Sequence, residues 1–520
     1  MKSYLFVLFA LIGLFVVNSG SAREYNILDF GAKADTAFLS TQAIQQAIDQ
    51  CSEAGGGTVV IPAGHFKTGS IFLKSNVNFY LESGAVLFGS RDLKDYTKIK
   101  PGYISLRTQE ATIQLIYAED ATNVSITGYG TIDGQGRSFK KLTKNDEGIT
   151  RPHLLRFITC RNVLVENISL RNSGCWMQHY LACDEVQIRG VKVFNRNNYN
   201  NDGLDLDGCH DVTVSDFISD SDDDGVTLKS TSPRACENIA ITNCVISSRC
   251  NAIKMGTESN GGFRNITISN CVVKPSPIKE PTFYGAPTGS SAISLEIVDG
   301  GKMEGISINN IQVEGTEAPI FIRLGNRARS HKSGVTIDHV GEISDVSISH
   351  VRVKTEGNTA CSITGQPGFP VRNVRLNDII VESAGGGTLA DFQCPVEYKP
   401  KDYPEATMFG VLPAYGFYLR HAENIRFDNC AFVTKQIDAR PAVFIEKSVN
   451  CVLDALDLTN LKTETEAGIY ASQVQKLIVK GSIGGAGLKT LVRVSKQDES
   501  EITLSGNVLS DGVLELETMK

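Results

Sequence analysis

One short pattern returns along most of this chain: a polar residue, an apolar-x-apolar-x run, a polar corner, then a second alternation. It reads TNVSITGYGTIDG from Thr122, RNVLVENISL from Arg161, DEVQIRGVKV from Asp184, HDVTVSDFIS from His210, ENIAITNCVI from Glu237 and RNITISNCVV from Arg264. Later copies are EGISINNIQV from Glu304, SDVSISHVRV from Ser344, RNVRLNDIIV from Arg372 and ENIRFDNCAF from Glu423. Period-two alternation marks short strands, and the polar corner between them marks a turn. The middle copies return about every 23 to 28 residues. A unit that short cannot bury a hydrophobic face alone, so its neighbours must stack on it. Parallel stacking of equivalent strands predicts an all-β chain folded as a right-handed parallel β-helix, apolar ladders inside and polar ladders outside.

Length alone, 520 residues, suggests about three domains. The repeat argues instead for a single domain over residues 23–520, with 23–90 forming the N-terminal cap and first coils. Helix signals are scarce. Thr41 to Gln50 carries Ala43, Ile44, Ala47 and Ile48 at helical spacing and precedes GGGTVVIPAG, so it is expected to cap the open end of the solenoid.

Residues 1–22 read as a secretory signal: Lys2, the apolar run LFVLFALIGLFVV, and the small-residue stretch NSGSA. A membrane anchor is the rival reading, but the run falls short of the roughly 20 residues that span a bilayer. A secreted or periplasmic protein, free of the membrane once the signal is removed and acting as a monomer, is the expectation. The net charge of -7, with no basic tract, argues against nucleic acid as a partner. Thirteen cysteines are an odd number without framework spacing. Several lie inside the repeats (Cys244, Cys271, Cys430), where Cys behaves as a small buried hydrophobe. Mostly free thiols are expected, with room for one or two bridges.

A third strand in each coil aligns through NDGLDLDG from Asn201, DDGVTLKS from Asp223, CNAIKMGT from Cys250 and SAISLEIV from Ser291. Gly203, Gly225 and Ala252 then share a column, and Leu204, Val226, Ile253 and Ile293 point inward. Asp205, Thr227, Lys254 and Ser294 face outward, as do Asp207, Lys229, Gly256 and Glu296. The column before the small residue holds Asp202, Asp224 and Asn251. Carboxylates one coil apart, roughly 4.8 Å, repel by about 3 to 4 kcal/mol at an effective dielectric near 20. Such a cost argues for a functional return. Asp223, at the bend beside Asp224, adds a third carboxyl. Three carboxyls around one point suit glycosidic hydrolysis, where one donates a proton to the leaving oxygen and the others activate water. Clustering raises the pKa of one member, so the acid keeps its proton.

Two rivals stay in view. Asp220-x-Asp222-x-Asp224-Gly225 starts like a calcium loop, but position twelve is Thr231 and a strand follows. A solvated acidic turn leaves Asp202 unexplained.

The chain resembles glycoside hydrolase family 28, the polygalacturonase-type pectin hydrolases, from YNILDFGAKAD near residue 25 through PIFIRLGNR near residue 327. The family's Asn-Thr-Asp-Gly-x-Asp motif matches NNDGLD, Asn200 to Asp205, with Asn201 in place of Thr. Its Asp-Asp pair matches Asp223 and Asp224. The resemblance implies Asp223 as general acid, Asp202 and Asp224 holding and activating water, inversion, and neither metal nor other cofactor. Two departures stand out. Asn251 takes the place of the His in Gly-His-Gly, and Ser294-x-Glu296 replaces Arg-x-Lys. Losing that cationic pair disfavours a carboxylate at that subsite and points towards rhamnogalacturonan or a decorated pectin. Lys229 and Lys254 remain for one uronate; Asn200, Asp205, Asn251 and Glu296 complete the expected substrate-binding set. Trp176, the only Trp, and His179 lie in NSGCWMQHY, and each has a substrate-contacting and a structural reading. Arg323 and Arg327 are candidates without a fixed direction. A polysaccharide lyase on the same scaffold and a non-catalytic glycan-binding β-helix are the competing functions. Insertions between Asn270 and Ala292 and around Ser330 to Glu342 are placed to close one end of the groove.

Overall fold

The residue just before the first apolar run of each unit has left-handed backbone. Asn123, Asn162, Asn238 and Asn265 have φ of 57°, 53°, 57° and 54°. Asparagine tolerates this region better than most L residues because its short amide can bond locally. Here the amides also bond from coil to coil. Asn162 Nδ2 donates to Asn123 Oδ1 at 2.8 Å, Asn265 to Asn238 at 2.6 Å, and Asn450 to Asn424 at 2.6 Å. The repeat's Asn therefore turns the chain and ties each turn to the one below.

The computed structural model describes residues 23–139, 148–278, 286, 288–459, 465 and 467–519. The expected signal segment lies outside the described residues. Strands of successive coils pair in parallel from Glu24–Asn26 to Leu514–Met519, giving a parallel β-helix. Lys98–Ile99 with Thr112–Glu119 is an antiparallel pair. One inward column runs Val124, Val163, Val186, Val212, Ile239, Ile266, each residue opposite the next across a parallel pair. All six are buried. Stacked β-branched side chains fill the interior by repeating one shape, which is why a short unit suffices.

Helix α1 (Thr41–Glu53) runs three residues past the predicted end and buries Ala43, Ile44, Ala47, Ile48 and Cys51. Gln45 locks it to the first coils: its Nε2 donates to the Phe72 carbonyl (3.1 Å) and its Oε1 accepts from the Phe72 N–H (2.8 Å). All thirteen cysteines are free, and all but Cys394 are buried. Among the described residues no helix is long and apolar enough to cross a membrane.

The sheet that matters for function comprises β1 (Gln178–Leu181), β2 (Leu204–Asp207), β3 (Val226–Ser230), β4 (Asn251–Ser259), β5 (Ser291–Ile297) and β6 (Ile320–Leu324). They stack in that order.

Candidate active site

The register of β2 to β5 is the one expected from the sequence over most of its length. Leu204 faces Val226, Ile253 and Ile293 in turn, and Asp205, Thr227, Lys254 and Ser294 form the neighbouring column. A Cβ at Gly203 would lie 2.5 Å from the Gly225 carbonyl oxygen, and one at Gly225 2.6 Å from that of Ala252. Only small residues fit, and the residue before each is held at the strand entrance. Gly203 N–H donates to the Asp224 carbonyl (2.9 Å) and Gly225 N–H to that of Asn251 (2.8 Å). Asp202, Asp224 and Asn251 are thereby stacked.

Asp224 Oδ1 accepts from Asn251 Nδ2 (2.9 Å) and from its N–H (3.2 Å), while Oδ2 lies 3.1 Å from Lys254 Nζ. Asp202 Oδ2 lies 3.7 Å from Lys229 Nζ. Asp223 Oδ1 accepts from the Asp224 N–H at 2.9 Å, and the hydroxyls of Ser221 and Ser248 hold its carbonyl. Burial, then the charge of Asp224, pushes the Asp223 carboxyl up to about 7. Burial, followed by Asp205 and Asp223, pushes Asp202 well above the usual carboxylate range. The cluster thus retains protons near neutrality, as crowded buried carboxyls must.

The calcium-loop reading loses its geometry. Asp220 and Asp222 meet a guanidinium instead, at 2.7 and 3.9 Å from Arg196, and Asp220 also accepts from Ser276. Asp222 is buried rather than solvated. Asp223, Asp224 and Cys250 offer ligand atoms within 4.8 Å of one another, but the Lys254 ammonium already stands against Asp224.

Two adjoining cavities of about 430 and 390 Å³ share Asn200, Asp223, Asp224 and Tyr403. Asp202, Lys229 and Trp176 open onto the larger and Lys254 onto the smaller. Asn200 accepts from Arg151 Nη2 at 3.0 Å. Asn201, where the resembling motif has Thr, is buried. It accepts from the N–H groups of Asn197 and Asn198 and donates to the carbonyls of Ser173 and Cys175, so it braces the loop before Asp202.

Four expected substrate contacts lie behind the cavity walls. Asp205 sits beneath Lys229, 3.4 Å from Nζ. Asn251 is spent on Asp224 and on the Ser291 hydroxyl. His179 is packed edge-on to Trp176 with Nε2 3.1 Å from Asp207, and burial lowers its pKa to about 4, so its ring is neutral. Glu296 bonds to Ser294 (2.6 Å) and Thr257 (2.9 Å), and burial raises it to about 7.

Glu296 keeps its place beside Gly256, and the expected column breaks one step earlier. The pairing of β3 and β4 shifts between Leu228 and Ser230: Leu228 faces Met255, but Ser230 faces Ser259. Gly256 and Thr257 form the excess, and the bulge brings Glu258 beside Lys229, 3.9 Å away. The expected column Asp207, Lys229, Gly256, Glu296 therefore becomes Asp207, Lys229, Glu258.

Loops supply the residues that strand alignment missed. Arg107, on the loop before Thr112–Glu119, lies 4.9 Å from the Trp176 ring and 2.7 Å from Glu258; Lys229 Nζ lies 4.7 Å from the same ring. Arg327 is bound to Asp299, and Arg329 lies 3.9 Å from Glu258. Both arginines and Arg107 line the larger cavity. Burial works against the Glu258 carboxylate, but Arg107, Lys229, Arg327 and Arg329 hold it well below its usual range. Gln109 joins two of these loops by donating to the His331 carbonyl at 3.0 Å. Arg323 turns away from the cavity to the carbonyls of Tyr398 and Lys399.

A family model described as glycosyl hydrolases family 28 matches residues 51–397. A probable polygalacturonase of Vitis vinifera is 32% identical over 219 residues, 40% of this chain and 45% of that protein. The chain thus spans under half the length of this relative. An exopolygalacturonase of Platanus acerifolia is 25% identical over 395 residues, 73% of this chain and 95% of its own length. The crystal structure of an exopolygalacturonase from Thermotoga maritima is similar in fold, with a TM-score of 0.57 and 23% identity over 78% of this chain and 92% of that one.

Proposed function

This chain belongs to glycosyl hydrolases family 28, and from that premise we propose that it hydrolyses glycosidic bonds of galacturonate-containing pectin with inversion. The observation that carries the reading is the cluster of Asp202 and Asp224, stacked one coil apart, with Asp223 beside Asp224 on the same cavity. Lysines stand 3.7 and 3.1 Å from Asp202 and Asp224, whereas the Asp223 carboxyl accepts a peptide N–H. Burial and the Asp224 charge hold the Asp223 carboxyl up to about 7, which lets it carry a proton near neutrality, and the resemblance to the family assigns it the acid role. It donates that proton to the leaving oxygen, while Asp202 and Asp224 take the proton of the attacking water. Lys229 matters most to Asp202, whose own burial opposes ionisation.

The larger cavity supports an anionic sugar: Arg107, Arg327, Arg329 and Lys229 outnumber its carboxylates apart from the catalytic trio. Guanidinium forks suit a uronate carboxylate. The smaller cavity has the opposite balance, with Lys254 engaged by Asp224 and Glu405 facing the acid pair. A neutral sugar such as rhamnose fits there, so rhamnogalacturonan or a decorated pectin is preferred over plain polygalacturonate. The joined loops at Gln109 and His331 favour attack from a chain end. The enzyme is secreted or periplasmic after loss of residues 1–22 and works as a monomer.

Parallel digestion of polygalacturonate and rhamnogalacturonan, with product sizing and NMR of the first-formed anomer, tests this. Short products with inverted configuration are expected, formed faster from the polymer containing neutral sugar. Ultraviolet-absorbing unsaturated products would establish a lyase, and binding without cleavage a glycan-binding protein.

A pH profile follows from Asp223. Only its protonated form donates, so kcat/KM should fall about tenfold per pH unit above about 7. A descending limb beginning near pH 4 would remove Asp223 from the acid role.

A further inference from the structure

The segment 384–416, inserted before the strand Phe417–Arg420, reaches back over the cavities. It is built into the wall rather than draped over it. Arg323 on β6 donates to the carbonyls of Tyr398 and Lys399 at 2.6 and 3.1 Å, and Arg420 donates to those of Val396 and Glu397 at 2.6 and 2.9 Å. Both arginines are buried, and both guanidinium groups lie against the Phe409 ring. The Asn326 N–H donates to the Pro400 carbonyl at 2.7 Å, and Ala406 and Leu412 are buried beneath.

From this anchored base Tyr403 projects into the space over the acid pair. It is 51% exposed, although its neighbours in the cavities are mostly buried, and it lines both cavities. Its ring centroid lies 5.6 Å from Lys254 Nζ and 6.0 Å from the Arg327 guanidinium carbon, with its hydroxyl 3.5 Å from Lys254. Two residues on, Glu405 lines the smaller cavity beside Lys254 and accepts from the Ala406 N–H at 3.2 Å. An aromatic face held rigid in a polar cleft offers apolar area to the C–H side of a sugar ring at little cost in ordering. A carboxyl alongside it accepts the ring's hydroxyls.

We propose that Tyr403 and Glu405 form the specificity wall of the smaller cavity, a stacking face and a hydroxyl acceptor for a neutral pyranose of the pectic chain. This rests on the pectin-hydrolase reading above. It gives the inserted segment a task that the acid trio does not perform: it selects and orients the sugar on the Lys254 side of the scissile bond.

Trp176 lies in the larger cavity and is the chain's only Trp, so its fluorescence reports ligand binding without a label. Turnover is measured for the parent, Tyr403→Ala, Tyr403→Phe and Glu405→Gln on rhamnogalacturonan and on polygalacturonate. Binding of both polymers is titrated by Trp fluorescence with Asp223→Asn and with Asp223→Asn/Tyr403→Ala. Tyr403→Ala should raise KM and the titrated Kd for rhamnogalacturonan about tenfold while kcat changes by less than about threefold. Tyr403→Phe should raise KM far less than Tyr403→Ala, because the ring carries the contact, and Glu405→Gln should raise KM by a factor smaller than that of Tyr403→Ala. Unchanged KM and Kd in Tyr403→Ala, or a loss in kcat alone, overturns the wall. A parent that cleaves neither polymer overturns the hydrolase reading, and the wall is then judged by the fluorescence titration: tenfold weaker binding in the double variant supports it, equal binding or none refutes it.

Discussion

Asp223→Asn should lower kcat on the true substrate by about three orders of magnitude while leaving the fold intact. The amide has nearly the shape of the carboxyl, so the acceptance from the Asp224 N–H at 2.9 Å is kept and only the transferable proton is lost. The same exchange at Asp224 should cost as much, since an amide cannot take a proton from water. Stability should move the other way. The folded-state pKa of Asp223, about 7, lies above its unfolded value, so the unfolded chain ionises first as pH rises. The native state is therefore progressively disfavoured between about pH 4 and 7, and fully so above 7. Removing the charge should leave Tm unchanged or raise it by about 2 °C at pH 7.5, with little difference at pH 4. Rate assays with thermal unfolding at both pH values check this. An Asn variant that unfolds easily would trace the lost activity to packing; one that turns over normally would take Asp223 out of the mechanism.

The solenoid and its acids were legible because they obey a period. Inward residues repeat every coil, so Leu204, Val226, Ile253 and Ile293 could be aligned by pattern, and the small residues Gly203, Gly225 and Ala252 fixed the phase. Once the phase was set, Asp202 and Asp224 had to be neighbours. The first failure came where the period breaks. The bulge at Gly256–Thr257 is silent in a hydrophobicity pattern, because neither residue is apolar, and it moved Glu258 into the position expected for Gly256. Glu258 thereby stands beside Lys229 where Gly256 was expected, while Glu296 lies behind the cavity wall, bound to Ser294 and Thr257. The second failure concerned loops. Arg107 and Tyr403 lie about 120 residues before and 180 after Asp223 and obey no repeat. Arg323 and Arg327 lie close to a repeat, but the repeat leaves their direction open. The charge of a cleft depends on such insertions as much as on its strands.

Lys229→Met should be the most damaging single change outside the acid trio. The ammonium is buried and lies 3.7, 3.4 and 3.9 Å from carboxylates of Asp202, Asp205 and Glu258. Burial alone would discharge it, but Asp205, Glu258 and Asp202 together hold its pKa well above the usual lysine value. Without it those nearly buried carboxylates face one another without their shared cation, and breaking such a buried arrangement costs about 3–5 kcal/mol. Glu258 keeps Arg107 at 2.7 Å, so the burden falls on Asp202 and Asp205. The Asp202 pKa should rise further, which makes the variant's stability loss larger at pH 8 than at pH 6. Catalysis should suffer by the same route: Asp202 must be ionised to accept a proton, so the ascending limb of the pH–rate profile should move up and kcat at pH 6 should fall at least about a hundredfold. Adding Asp205→Asn to Lys229→Met removes one of the stranded charges and should recover part of the Tm and part of the profile, a coupling that loss of packing alone would not produce. Lys254→Met makes the contrast, because Asp224 retains both donors from Asn251 and should tolerate the loss better. Equal pH dependence of Tm in the parent and in Lys229→Met would mean that the ammonium does not govern these carboxylates, and the route from Lys229 through Asp202 to the attacking water would have to be abandoned.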